Sequence, residues 1–173
     1  LLAGTGGGGG PTRNPRRCTA RRGGRMTAPA TSEGPFKSDA EVLALVREFE
    51  ACTLPRARWN HRAHLTVALW YAARLEPEEA LEAMRRGILR FNEARGVAST
   101  PTSGYHETIT RFYMRVVGHF AGEDNEGGWA ERANRLLERY GEKRLPLRHY
   151  TESRLMSPAA RAAWVEPDLV PLP

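Results

Sequence analysis

Residues 59–91 read WNHRAHLTVALWYAARLEPEEALEAMRRGILRF, and the period of their apolar positions decides the fold. Asn60 offers the side-chain oxygen that a helix start needs for its unpaired N–H groups. His61, His64, Leu65, Ala68 and Ala72 then share one face at i, i+3, i+4 spacing. Glu76-Pro77 breaks this helix, and Pro77 fits the first turn of the next one, where the N–H it lacks has no partner anyway. Leu81, Met84, Ile88 and Phe91 carry that helix to a stop at Gly96.

Upstream, Ser38-Asp39-Ala40-Glu41 reads as a capping box, followed by Val42, Leu45, Val46 and Phe49 at helical spacing. This first helix is expected to run to about Ala51, with Pro55 stopping it. Downstream of the turn-rich VASTPTSG, a fourth helix is expected near Thr102 or Ser103, with His106, Ile109, Thr110, Tyr113, Val117 and Phe120 inward. AGEDNEGG reads as a loop, and Trp129, Ala133, Leu136, Leu137 and Tyr140 mark a fifth helix closed by Gly141. The tail holds one short capped helix from Ser157-Pro158 and then a proline-punctuated end expected to pack across the bundle. No period-2 run of strand length appears. The expected fold is all-α, a single-domain antiparallel bundle of about five helices with an extended C-terminal tail.

A length of 173 residues suits one domain. The net charge of +6 is local: residues 1–25 hold six arginines and no acid, leaving 20 basic against 20 acidic residues in the remainder. That segment is Gly/Arg-rich and lacks apolar periodicity, so residues 1–37 are expected to form a disordered leader ahead of a helical domain at 38–173. Met26 reads as the natural start, with the residues before it not native; the alternative is a basic arm for RNA or DNA. The neutral body offers no basic stripe for such an arm to extend, so nucleic acid is not an expected partner.

The longest mostly apolar run, Val67 to Ala73, is far below the ~20 residues that span a membrane. The cysteines are Cys18 and Cys52, which gives neither a disulfide framework nor a cysteine metal site. A cytoplasmic protein without a membrane partner is the expectation.

The candidate chemistry lies in three of the five histidines. In an up-down bundle the second and fourth helices run the same way, so the first turns holding His61, His64 and His106 meet at one end. Three neutral imidazoles can bind zinc, nickel or iron and leave a coordination position open for water or substrate. Glu50, at the end of the antiparallel first helix, is a candidate fourth ligand, orienting group or general base. Glu107 lies about 100° around the helix from His106 and is read as flanking the site. His-x-x-His lacks the glutamate of the His-Glu-x-x-His zinc proteases, and a histidine on an apolar helix face is more often a hydrogen-bonded core residue. Asn92, Thr110 and Tyr113 share inward faces near the same end, and Trp59 and Tyr105 read as hydrophobic staples. His119 and His149 read as surface or structural.

The segments WNHRAHL (Trp59 to Leu65), GYHETIT (Gly104 to Thr110) and WVEPDLVPLP (Trp164 to Pro173) resemble a family of uncharacterised bacterial proteins. That family has an aromatic-x-His-x-x-His-Leu/Val segment followed some forty residues later by Tyr-His-Glu-Thr-Ile-Thr. The resemblance covers about residues 38–173 and marks His61, His64, Tyr105, His106, Glu107, Thr108, Thr110 and Glu50. Relatives often carry Asp before the second histidine, where this chain has Ala63, which argues against an Asp ligand there. The resemblance implies a polar site built from these residues and no assigned activity.

Three readings stay open. The first is an enzyme with a mononuclear divalent metal on His61, His64 and His106, assisted by Glu50 or Glu107. The second is a metal-free small-molecule site in which a histidine works as acid or base with one of those glutamates. In the third, a binding or interaction module, the histidines merely satisfy one another.

Overall fold

The computed structural model describes residues 34–172. The expected leader therefore lies outside the described residues up to position 33. Among the described residues the elements are helical: α1 (Asp39–Glu50), α2 (His61–Ala72), α3 (Pro77–Ala94), α4 (Glu107–Glu123), α5 (Trp129–Tyr140), α6 (Glu152–Leu155) and α7 (Pro158–Ala162), with 3-10 turns at Arg56–Arg58 and Leu145–Arg148. The five long helices form the bundle and residues 163–172 run on without helix, as the periodicity implies.

Ahead of α1, Phe36 is already fixed to the bundle. Its N–H donates to Asn134 Oδ1 at 2.8 Å, its carbonyl accepts from Asn134 Nδ2 at 2.9 Å, and the Arg62 guanidinium lies 3.7 Å over its ring.

α2 is the central element, packed by α1, α3, α4 and α5. Its buried residues run Ala63, Leu65, Thr66, Val67, Ala68, Leu69 and Tyr71, a nearly continuous set. A helix with neighbours on all sides buries more than one stripe, which is why the single face read from its spacing is too narrow. Phe49, Leu54, Leu65, Leu69, Phe91, Phe112, Leu136, Tyr150 and Leu155 fill the core around it.

Two helix starts differ from the sequence expectation. Ser38 is the N-cap of α1, but its side chain makes no capping bond, and Glu41 instead accepts the Lys37 N–H at 3.0 Å. The other acid of that turn does the capping, for a different helix: Asp39 Oδ1 accepts the Ala130 N–H of α5 at 2.9 Å. At Gly128, the N-cap of α5, a Cβ would sit 2.6 Å from that same oxygen, so a larger residue there would push the Asp39 carboxylate away from its capping position. α4 begins at Glu107, four to five residues after Thr102 or Ser103. A turn holds Thr100 to Ser103, with the Thr100 hydroxyl accepting the Ser103 N–H at 3.0 Å, and Gly104 follows at φ +81. Neither conformation continues into a right-handed helix.

The tail folds back over α4. Buried Thr108 donates to the Ala163 carbonyl at 2.8 Å and accepts from the Val165 N–H at 3.2 Å. The Ser157 hydroxyl caps α7, as the Ser-Pro pair predicts, and Thr151 likewise caps α6, which is too short for apolar period to reveal. No helix among the described residues is long and apolar enough to cross a membrane.

Candidate functional site

The N-terminal turn of α2 and the N-cap of α4 open onto one cavity of about 430 Å³. This volume lies toward the small end of the ~300–1,000 Å³ typical of ligand sites. His61, His64 and His106 all line it, so the structure brings together the three histidines that the helix directions place at one end. α2, α3 and α4 give an apolar floor of Leu65, Ala68, Met84, Ile88 and Ile109; Lys143 and Arg161 line the cavity from the loop after α5 and from α7.

The three imidazoles have different surroundings. His106 precedes α4 in extended backbone and is its cap: Nδ1 accepts the Ile109 N–H at 3.3 Å. That role leaves the ring proton on Nε2, which donates to the Leu155 carbonyl at 2.9 Å. Both nitrogens are thereby committed to backbone groups. Burial, then the nearby Arg161 charge, hold the ring below its ordinary value against the two backbone hydrogen bonds.

His64 is stacked on Trp59 at 3.8 Å between ring centroids, and Trp59 is stacked in turn on Phe49 at 4.3 Å. Burial and the neighbouring His61 push the His64 imidazole down to about 3. His61 meets the edge of Tyr113 at 5.0 Å, and its Nε2 is buried with no hydrogen-bond partner. Burial and the Lys143 charge lower its basicity, with the Tyr140 backbone opposing. Among the described residues, His61 Nε2 is thus the buried histidine nitrogen left without a hydrogen-bond partner.

The two carboxylates singled out in the sequence stand outside the cavity lining. Glu50 accepts from the Tyr71 hydroxyl at 3.2 Å, and its backbone carbonyl accepts from Arg90 at 2.7 Å. Glu107 is buried and held from two sides, by Arg85 through Nε at 3.0 Å and Nη2 at 2.6 Å, and by the Tyr105 hydroxyl at 2.7 Å. Burial pushes its carboxyl up, but the bonds from Arg85 and Tyr105 with the charges of Arg85 and Arg111 outweigh that and leave it below its ordinary value. Arg85 also pairs with Glu82. Tyr105 lines the cavity, so Glu107 acts on the site through that phenol, which burial and the same carboxylate keep protonated.

Thr110 and Tyr113 line the cavity and Asn92 does not. Trp59 and Tyr105, read as staples, are cavity walls. His119 lies exposed beside Glu123 at 3.5 Å, and His149 Nδ1 meets the Val170 carbonyl at 2.9 Å. Lys143 and Arg161 are the wall residues that sequence reasoning missed. Lys143 sits in a polar loop and Arg161 in a helix of five residues, too short to carry an apolar period, so only the tertiary fold reveals them.

Among the described residues no group of three His, Cys, Asp or Glu side chains is arranged to hold a metal ion. No carboxylate among them lines the cavity. No protein-family model, curated protein or solved structure matches the chain.

Proposed function

We propose that this chain binds a small organic molecule in the cavity between α2, α3 and α4, without a metal shared by the histidines, and that His61 is the group that meets the ligand. The observation that carries this reading is the buried, unpartnered Nε2 of His61 in a cavity wall. Leaving such a nitrogen unpaired costs about 1–3 kcal/mol, which a ligand supplying a hydrogen bond there would offset. With its basicity lowered, His61 is neutral at pH 7, the form that accepts a hydrogen bond or takes a proton from a bound molecule. Tyr105, locked to Glu107, and Trp59, locked in its ring stack, supply rigid walls on either side.

The three-histidine metal reading is less well supported, because a metal would have to displace His106 from the Ile109 N–H or from the Leu155 carbonyl. It would also sit near two cationic side chains with no carboxylate in the wall to offset the charge.

Two measurements on the full chain test the proposal. Benzamide, a small neutral probe, is titrated while backbone amide NMR signals are followed; saturable shifts at Leu65, Ala68 and Ile109, weakened in His61→Phe, are expected. Elemental analysis of the same protein beside a His61/His64 double-alanine variant is expected to show no near-stoichiometric metal that depends on the two histidines. Stoichiometric zinc, nickel or iron lost in the variant, or a probe that leaves all three signals unmoved, overturns the proposal.

A further inference from the structure

The charge of the cavity wall deepens that reading and rests on it: we infer that the ligand is a small organic carboxylate, its anionic end between Lys143 and Arg161 and its apolar body on the floor formed by Ile88 and Ile109.

Arg161 is held in place from α7 by backbone carbonyls alone. Its Nε donates to Pro101 at 3.1 Å, and its Nη1 donates to Tyr105 at 3.1 Å and to Gly104 at 3.4 Å. Carbonyls fix the guanidinium but do not neutralise it, and Nη2 keeps its donors without a protein partner among the described residues. The Lys143 ammonium likewise has no ion-pair or hydrogen-bond partner among the described residues. The loop bearing it is anchored to the wall by the Tyr113 hydroxyl, which donates to the Glu142 carbonyl at 3.1 Å.

Both cations line the cavity, Lys143 near enough to lower the basicity of His61 and Arg161 that of His106. Arg85, Arg135 and Arg148 pair with carboxylates, whereas Arg90 and Arg95, like Arg161, donate to backbone carbonyls. What sets Lys143 and Arg161 apart is their place: both line one cavity whose wall contains no acid. The first turns of α2 and α4 add their positive dipole ends at the same place. A cationic ligand would meet repulsion from both charges, and a neutral one would gain little from either. An anion with an apolar body satisfies the wall and the floor together.

Benzoate, benzamide and benzamidine share one flat body and differ in charge at one end, so they isolate the charge term. Each is titrated into the full chain at pH 7.5, in wild type and in Lys143→Gln, with the amides of Leu65, Ala68 and Ile109 as reporters. Lys143 is exposed and unpaired, so this variant leaves the fold intact. Benzoate is expected to bind roughly tenfold tighter than benzamide, as charge-assisted hydrogen bonds imply. Benzamidine should bind weakest. Lys143→Gln should weaken benzoate about threefold and benzamide less, because an exposed charge pair contributes modestly. Benzamide binding as well as benzoate, or benzoate indifferent to Lys143→Gln, overturns the anion assignment while leaving the cavity in use. A null result with all three compounds overturns the small-molecule reading itself.

Discussion

Acidification should destabilise this fold through His64, and the size of the effect follows from its surroundings. The ring lies against Trp59 beside His61 and stays neutral down to about pH 3, whereas the unfolded chain protonates it at the ordinary value of 6.5. A group whose folded value is depressed binds its proton preferentially in the unfolded state. Its contribution is therefore full above pH 6.5 and declines as pH falls below that value. Between pH 7.5 and pH 5 the linkage for one such group amounts to about 2 kcal/mol. Urea unfolding of wild type and His64→Gln at both pH values isolates this term, since the remaining histidines titrate in both proteins. Wild type should lose about 2 kcal/mol more than the variant over the interval. Equal losses in the two proteins would refute the picture of a neutral, desolvated His64.

Two further perturbations probe the walls. Glu107→Gln removes the charge that holds Arg85 and the Tyr105 phenol, and should cost about 2 kcal/mol at pH 7 in thermal or urea unfolding, less than for a fully buried pair because Arg85 is partly exposed and keeps Glu82. Since the Glu107 carboxyl sits below its ordinary value of 4.5, its contribution is present above that pH and fades as pH falls further, so the gap to the variant should close in acid; a gap constant with pH would contradict this. Thr108→Val strips both hydrogen bonds that seat the tail on α4, leaves the Ala163 carbonyl and the Val165 N–H unpaired, and should cost about 1–3 kcal/mol while raising amide exchange through residues 158–165; exchange unchanged there would count against the seat.

The apolar period announced the five long helices, Asn60 and Pro77 announced two of their starts, and Ser157 announced that of α7, because each acts through local chemistry. What failed was also local in form and tertiary in cause. Ser38-x-x-Glu41 has the letters of a capping box, but Asp39 between them is drawn to α5 and Glu41 to Lys37. His106 looked like a first-turn residue because periodicity ignores the Thr100–Ser103 turn that delays α4; as the cap, it uses the nitrogens that a first-turn reading leaves free. The convergence of His61, His64 and His106 was legible from helix direction alone. The exclusion of Glu50 and Glu107 was not, since their partners Tyr71 and Arg85 lie 21 and 22 residues away in the chain. Lys143 and Arg161 reach the wall from segments that carry no periodic signal.

The cavity is closed by bonds that join distant parts of the chain: His106 to Leu155, Thr108 to Ala163 and Arg161 to Pro101, spanning 49, 55 and 60 residues. During synthesis the floor from α2 to α4 leaves the ribosome well before α6 and α7 exist to roof it. A chain stalled short of residue 158 would hold its three histidines with an open side and without Arg161. Under the proposed function, ligand affinity would arrive only with the last segment. Any molecule that then binds adds its own free energy to the docking of that segment and makes occupancy a report on completed folding.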